Sequence, residues 1–413
     1  MEVSVEKLRT ALTLVGPAVP KKPSLEVLKC IRLGEGKVIA TDLETAITIA
    51  GVGSPDDAPL CLPYRLLESF LSSVPGRETL LITPQDGKAD LSAGRSRATL
   101  GIKAAQDYPP IPNPEPEHVA AVDGDALVWA LTAVQYCCAA KDDTRPVLQT
   151  VCLTLGENPE AAAADGFRLA WEPLHSRLPG EGNLLIPSGA VHVLDYLWRH
   201  APKPPSVEGA SLVDIARAKR LVRLAYTKRT LRVDFGEVSL ITTLTAGTFP
   251  NYHQLIPAPG SSAVTFNAED LWRALRGMQK VAQEGSGIIR LFWGDGELKA
   301  EAKAEDIGVL ATAVPAASTA PGRIAFNLKY LQAYLRDKVD NVTLSCNAPS
   351  SPGLFSYHDI ARFLLMPMHC QWGDEPAAAP AAEAQEPETQ DGIQEDPQEG
   401  SDQEATEGPE EAE

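Results

Sequence analysis

The chain has 413 residues, of which 44% are hydrophobic, and a formal net charge of −18 at pH 7. This length allows about three domains, and no apolar run approaches the roughly 20 residues that a membrane helix requires. The N-terminus is neither basic nor apolar enough for a secretory signal peptide, so these features argue against a membrane or secreted protein and favour a cytoplasmic one.

The negative charge is concentrated at the C-terminal end of the chain. Fifteen Asp or Glu residues and no Lys or Arg follow Trp372, so the remaining 40 acidic residues nearly balance the 37 basic ones, a net of −3. This tail is rich in Ala, Pro, Glu and Gln and has no aromatic residue. Because such a composition cannot bury enough apolar surface to fold, we predict a disordered acidic tail over residues 372–413.

The first elements in chain order form an α+β unit over residues 1–117. A helix is predicted to follow Ser4, a residue type that caps helices, and a second to follow the strand that ends at Pro63. Strands are predicted on both sides of Asp42, and a hairpin with its turn at Asp86-Gly87. The prolines of 107–117 stop both helix and sheet and end the unit.

Both helix patterns recur twice along the chain. The first has a cap residue followed by apolar or small residues five, eight, nine and twelve positions after the pattern starts; the caps are Ser4, Asp123 and Asn267. In the second, a strand ends at Pro or Asn before an amphipathic helix; these residues are Pro63, Pro187 and Asn327. The first pattern starts one residue before each cap, at Val3, Val122 and Phe266, and the second pattern lies 60, 65 and 61 residues after these starts. We therefore predict three tandem copies of one α+β domain, at 1–117, 118–260 and 261–371.

The residues show no pattern typical of an enzyme. The chain has no P-loop, HExxH or GxSxG motif, and its seven histidines are scattered. The seven cysteines form no CxxC pair, so we expect reduced thiols in the core rather than zinc or disulfides. Three aspartates at similar places in the repeats, Asp42, Asp165 and Asp306, are expected to bond their own backbone in turns. We predict no cofactor, no metal and no catalytic residue.

The repeated unit resembles the bacterial sliding clamps, the beta subunits of DNA polymerase III. The resemblance covers residues 1 to about 370 and rests on six segments in order: TDLE at 41–44, GRSR at 94–97, ADGFRLA at 164–170, FPNY at 249–252, FNLKYL at 326–331 and LLMPM at 364–368. It implies a non-catalytic, three-domain half-ring. Two such chains would meet head to tail as a homodimer whose helices surround duplex DNA without reading its sequence.

The resemblance also implies which residues contact DNA. Carried over by position, they are Lys22, Arg65, Lys141, Asp142, Arg145, Pro146 and Val147. The chain departs from the best-known member of the family in this loop, where Asp142 stands for an amide and Pro146-Val147 for two tyrosines. Basic residues on the predicted helices supply a mildly positive lining: Lys7, Arg9, Arg65, Arg199, Arg273, Arg276, Lys280, Lys329 and Arg336.

A groove for partner proteins is the second site that the resemblance implies. Its ligands are short peptides, typically a Gln followed by Leu and Phe, carried by the polymerase III catalytic subunit, clamp-loader subunits, other polymerases and repair proteins. The matching positions are Leu148, Gly166, Phe167, Arg168, Leu169, Pro250, Leu255, Asn327, Tyr330, Leu364, Met366, Pro367 and Met368. Ala164 and Phe167 stand where the family commonly has threonine and histidine, so we expect a more apolar groove.

For the dimer, the resemblance points to an edge strand at 96–102 that faces the helix after Phe266 and its following loop. Two other functions are compatible with the residues. One is a clamp-like adaptor that does not encircle DNA, and the other is an enzyme with an unrecognised site on a repeated α+β scaffold.

Overall fold

A computed structural model describes residues 1–202, 221–258 and 260–372. The predicted tail lies outside the described residues from 373 onward, as does the segment 203–220. Within the described residues, six α-helices accompany antiparallel sheets, so the predicted α+β class is confirmed. The helices are α1 (Val5–Val15), α2 (Tyr64–Ser72), α3 (Gly124–Gln135), α4 (Ser188–His200), α5 (Ala268–Glu284) and α6 (Leu328–Leu335).

The strands are numbered in chain order. The first ten are β1 (Glu2–Ser4), β2 (Cys30–Gly34), β3 (Lys37–Thr41), β4 (Thr45–Ala50), β5 (Leu60–Pro63), β6 (Thr79–Gln85), β7 (Lys88–Ala93), β8 (Ser96–Gly101), β9 (Lys103–Ala104) and β10 (His118–Asp123). The next seven are β11 (Thr150–Gly156), β12 (Glu160–Ala164), β13 (Arg168–Pro173), β14 (Leu178–Pro187), β15 (Leu221–Tyr226), β16 (Thr230–Phe235) and β17 (Val238–Thr243). The last eight are β18 (Ser262–Asn267), β19 (Ile288–Gly294), β20 (Glu297–Ala304), β21 (Gly308–Ser318), β22 (Gly322–Asn327), β23 (Asn341–Cys346), β24 (Gly353–Tyr357) and β25 (Ile360–Leu365).

The first helix of each repeat begins at the predicted cap. The Ser4 side chain accepts a hydrogen bond from the Lys7 N–H, and Asp123 accepts one from the Ala126 N–H. Asn267 accepts from two N–H groups of α5. Each cap satisfies backbone donors that have no partner inside the first helical turn, which is why short polar residues recur at these positions.

The second helix of each repeat also begins where the sequence predicts. Pro63 and Pro187 precede α2 and α4, and Asn327 caps α6 by accepting from the Lys329 N–H. Each second helix packs beside the first helix of its repeat: α1 with α2, α3 with α4, and α5 with α6. The inward faces of these helices join one large apolar cluster with the sheets.

Two hairpins, the predicted one at Asp86-Gly87 and a second at Asp295-Gly296, have the turns that their residues require. Asp86 and Gly87 have φ of 42° and 74°, and Asp295 and Gly296 have φ of 50° and 82°. Two consecutive positive φ angles suit the right-handed twist of the flanking strands. These turns connect β6 to β7 and β19 to β20, as expected from Asp-Gly at both sites.

The sheets run across the boundaries of the sequence repeats. One sheet has the order β1-β6-β7-β8, a second β10-β15-β16-β17-β4-β3-β2-β5-β9, and a third β14-β11-β12-β13-β25-β24-β23-β18-β21-β20-β19-β22. The pairing of β17 with β4 joins the first repeat to the second, and that of β13 with β25 joins the second to the third. Residues Met1–His369 consequently form one compact unit.

β8 and part of β21 are among the strands in the described part of the chain that leave one side unpaired. β8 is the last strand of its sheet and pairs with β7 alone. β21 pairs with β20 over residues 308–315 and meets β18 only at its end, over 316–318. In the third repeat, residues 308–315 of β21 therefore offer one open edge, and the contact expected at the helix after Phe266 stays a prediction. Within the described ranges, no helix is long and apolar enough to cross a membrane.

The core thiols expected from the cysteine spacing are present. Six cysteines are buried as free thiols, and Cys370 is half-buried. Burial raises the pKa of Cys61, Cys138 and Cys152 to about 12. These groups are therefore protonated and unreactive at neutral pH.

Candidate functional site

The candidate groove forms where β13 meets β25. In this ladder Arg168 lies opposite Leu365, and Leu169 lies opposite Leu364. The Met366 N–H then donates to the Phe167 carbonyl at 2.8 Å. Backbone pairing thus brings together two segments that are far apart in the chain, and it continues past the end of both strands.

The groove has a buried floor and an exposed rim, both apolar. Leu148, Leu169 and Leu364 form the floor and are no more than 5% exposed. Phe167 and Met366 on the rim are 55% and 39% exposed. We call these five residues, together with Leu255, the apolar groove.

Leu255 joins the groove through its neighbours. It ends the 3₁₀ helix Tyr252–Leu255 and is 61% exposed. Tyr252 and Ile256 on either side of this residue pack into the same cluster as the floor leucines. Leu255 is thus an exposed apolar residue beside the buried floor, as Phe167 and Met366 are.

A tight turn at Asp165 projects Phe167 to the surface. The Asp165 carboxylate accepts from the N–H groups of Phe167 and Arg168 at 2.9 and 3.0 Å, which confirms the expected turn. Gly166 has φ of +94°, a conformation that residues with a Cβ rarely adopt. A Cβ there would also lie 3.1 Å from the Arg145 guanidinium. The glycine is needed both for the turn and for this close approach.

Arg168 ties this turn to α6. Its Nε lies 2.9 Å from an Asp165 carboxylate oxygen in a largely buried ion pair. Its guanidinium also lies 4.4 Å from the Tyr330 ring centroid, within the range of a cation–π contact. The Phe167 ring also stacks on Tyr330, with the two ring centroids 6.4 Å apart.

The other predicted groove residues have varied surroundings. Asn327 is the cap of α6, so its side chain has a structural task. Pro367 and Met368 are half-buried, and the Met368 N–H donates to the Ala325 carbonyl at 2.8 Å. Pro250 is exposed just before the Tyr252–Leu255 turn. The contacts described above do not include the side chains of Pro250, Pro367 or Met368.

The predicted DNA-contacting residues lie on three separate elements. Lys22 is exposed in the loop before the 3₁₀ helix Glu26–Lys29, and Arg65 is exposed on α2. Lys141 and Asp142 are exposed in the loop after α3. Pro146 and Val147 begin the 3₁₀ helix Pro146–Gln149, and Val147 packs against the groove floor.

Arg145 differs from the other members of this set because its guanidinium is already bonded to other groups of the protein. Its guanidinium bonds the Asp143 carboxylate at 2.9 Å and the Asp165 carbonyl at 3.0 Å. The hydrogen bonds from Arg145 lower the pKa of Asp143 to about 2. Arg145 therefore braces the turn that presents Phe167. Within the described residues, Lys141 has no recorded ion pair and is the more available cation of this loop.

Sequence reasoning missed part of the groove floor. Trp171, Leu185, Phe249, Tyr252 and Leu354 complete the buried cluster around the three floor leucines. The Tyr252 hydroxyl is hydrogen-bonded to the Glu160 carboxylate, which holds the 3₁₀ helix Tyr252–Leu255 in place. The FPNY segment already held Phe249 and Tyr252, so its aromatic residues were the available indication.

Comparison with known proteins shows a consistent similarity. No protein-family model matches the chain. The beta sliding clamp of Synechococcus elongatus is 25% identical over 365 residues, covering 85% of this chain and 93% of that protein. That of Caulobacter vibrioides is 25% identical over 346 residues, covering 80% and 89%.

Solved structures show the same fold. The DNA polymerase III subunit beta of Pseudomonas aeruginosa aligns with a TM-score of 0.79 at 22% identity, covering 89% of this chain and 99% of that one. The beta subunit of Thermotoga maritima aligns with a TM-score of 0.77 at 19% identity, covering 90% and 99%. The resemblance to the bacterial sliding clamps, and the clamp fold that it implied, are confirmed.

Proposed function

We propose that this chain, whose relatives are beta sliding clamps, is the processivity clamp of a bacterial replicative polymerase. Two copies form a ring around duplex DNA in the cytoplasm and tether the polymerase III catalytic subunit, clamp-loader subunits, other polymerases and repair proteins. The observation that carries the proposal is the similarity to curated beta sliding clamps over 85% of the chain. We assign the protein no catalytic step of its own.

The two open strand edges support a closed dimer. β8 and residues 308–315 of β21 each present backbone groups that a second strand can satisfy. Arg95 and Lys103 flank β8, whereas Glu305 and Asp306 precede β21, so the edges also differ in charge. Because each copy carries one edge of each kind, two copies related by a two-fold axis form two identical contacts and close.

A ring holds DNA by topology and therefore needs few phosphate contacts. The folded body has a net charge of −3, which is unlike a protein that binds duplexes tightly through many phosphates. Exposed cations such as Lys22, Arg65 and Lys141 supply weak contacts that carry no sequence information. These properties suit a protein that slides.

The apolar groove suits a short peptide with a Leu and a Phe. Its exposed Phe167, Leu255 and Met366 can close over apolar side chains, and the unbranched methionine adapts to different partners. Floor residues held by the β13–β25 ladder stay in place when a peptide binds. We propose that the groove lies at the junction of the second and third domains, at 118–260 and 261–371, with the first domain at 1–117.

Light scattering on the purified protein tests the assembly. The ring requires a mass near twice 44.2 kDa. A stable monomer at micromolar concentration is the result expected of an adaptor that does not encircle DNA, and it would overturn the ring.

A further inference from the structure

A second large pocket lies apart from the apolar groove. It has a volume of about 740 Å³ and opens between α3, the end of α6 and the β24–β25 hairpin. We call it the aromatic-cationic pocket, because the residues that line it include Trp129, Arg199, Tyr334, Arg336, Lys338 and Arg362. None of the predicted groove residues lines it, and among the predicted DNA-facing residues only the helix cations Arg199 and Arg336 do.

Trp129 is the most unusual residue of this pocket. It lies on α3, whose buried face is formed by residues such as Leu127, Leu131 and Val134, but its own side chain is 64% exposed. A large aromatic ring on the solvent face of a helix contributes little to the core. Its flat surface is instead available to stack on another ring.

The cations of the pocket differ in whether a carboxylate pairs with them. Arg199 and Arg362 are engaged by the carboxylates of Asp195 and Glu172. Arg336 is exposed and has no recorded ion pair within the described residues.

Lys338 is a partly buried cation of the pocket. Its Nζ donates to the Tyr334 carbonyl at 2.7 Å and lies 4.2 Å from the Tyr334 ring centroid. Burial lowers the pKa of Lys338 to about 8. Asp337 stands between Arg336 and Lys338 in the sequence and also lines the pocket. An incoming anion would therefore find Arg336 and Lys338 on the same wall.

We propose that the aromatic-cationic pocket binds single-stranded nucleic acid, with a base stacked on Trp129 and an adjacent phosphate on Arg336 and Lys338. Stacking on an aromatic side chain beside a cationic wall is how proteins hold unpaired strands without reading their sequence. A duplex does not fit this chemistry, because its bases are already stacked on each other. An acidic peptide would use the cations but not the exposed indole.

The inference rests on the proposed function for its biological setting. Arg199 and Arg336 belong to the helix cations that we expect to face the DNA, so the pocket would be within reach of a single strand at the point where a duplex ends. Held there, the single strand would position the clamp at such a junction. The chemistry of the pocket can nevertheless be measured without a ring.

The test is fluorescence anisotropy of a fluorescein-labelled oligothymidylate with the full-length protein. Trp129→Ala is expected to weaken binding about tenfold, the usual loss for one base–aromatic stack, whereas Trp129→Phe keeps most of the affinity. Arg336→Ala should reduce the slope of log affinity against log salt by about 0.7. Arg177→Ala is the matched charge control, since this exposed arginine pairs with Glu157 and does not line the pocket; its slope should equal that of the wild type.

Three results would overturn the proposal. The first is a Trp129→Ala protein that is folded by circular dichroism and binds as tightly as the wild type. The second is an abasic oligonucleotide that binds as well as oligothymidylate, since phosphate alone would then suffice. The third is loss of binding in the groove variant Met366→Ala but not in Trp129→Ala. Failure of the ring is separately visible: the wild-type protein would bind oligothymidylate but would not be retained on circular DNA.

Discussion

The apolar groove and the two open strand edges are both candidate interaction surfaces, but they offer opposite chemistry. At the groove the backbone is already paired, through Leu169 with Leu364 and through Met366 with Phe167, and only side chains are presented. Along β8 and residues 308–315 of β21 the backbone itself is open, and the side chains on the exposed face are small or mixed.

Because of this difference, the groove can accept several partners, whereas the strand edges can accept only one kind. Apolar side chains on a rigid floor can accept several peptides, because their contact requires shape but little direction. Strand edges accept only another strand in register, because hydrogen bonds are directional. A protein that must keep one partner for closure and exchange many others at the groove has reason to use both.

The largest expected effect is the weakening of the dimer when one backbone N–H donor is removed from β8. Ala93 and Ser96 flank the two-residue turn between β7 and β8, and bonded and non-bonded pairs alternate along such a ladder. The Thr99 N–H therefore points away from β7. In Thr99→Pro this donor is lost and the ring obstructs a neighbouring strand. The acceptor left unpaired on that strand costs up to about 3 kcal/mol, so we expect a loss of up to about a hundredfold in the dimer dissociation constant.

Thr99→Val is the matched control for the edge. Both variants lose the hydroxyl that donates to Asp90 at 2.6 Å, but valine keeps the backbone N–H. Light scattering should show monomers for the proline variant and dimers for the valine variant. Equal dimer masses would place the interface elsewhere. The neighbouring Leu100 would be a poorer site for this test, because its side chain packs against the core and a change there could also affect folding.

The next largest effect is expected on peptide binding, and it is confined to the groove. Replacing Met366 and Met368 with alanine removes apolar contact area, and we expect a Gln-Leu-Phe-type peptide to bind roughly tenfold more weakly by calorimetry. The dimer mass should not change. Val339→Ala, which truncates a 65% exposed valine outside the groove, should leave peptide binding intact. A peptide affinity within twofold of wild type in the double variant would show that the groove is misplaced.

A smaller effect should distinguish the brace of the groove from a DNA contact. Arg145→Ala removes the bonds to Asp143 and the Asp165 carbonyl, so we expect peptide affinity to fall by about fivefold as the turn loosens, given roughly 1 kcal/mol for such a bond. Lys141→Ala should leave peptide affinity unchanged and reduce the salt dependence of DNA contact. The reverse pattern would make Arg145 the phosphate ligand that the sequence suggested.

The sequence predicted those parts of the molecule that depend on local chemistry. Helix caps such as Asn267 and the Asp-Gly turns depend on bonds within a few residues, so their residue types mark them directly. The Asp165 turn is of the same kind. Groove residues such as Phe167 and Met366 were located by resemblance, since their segments match the family motifs.

The remaining features depend on pairing between distant segments. An alternating apolar pattern shows that β17 is a strand but does not show that its neighbour is β4, almost 200 residues earlier. For the same reason, the sequence did not reveal that β21 has an open side. Arg145 illustrates a third limit: its charge is evident in the sequence, but its engagement with the Asp165 carbonyl exists only after the loop and turn have folded together.

Retention on circular DNA is the most direct test of the clamp account. The protein would be loaded onto a nicked circular duplex with a clamp loader, washed, and measured before and after a restriction enzyme cuts the circle. A sliding ring stays on the circle and is lost when the DNA becomes linear. Equal retention on circular and linear DNA, or none on either, would contradict the account.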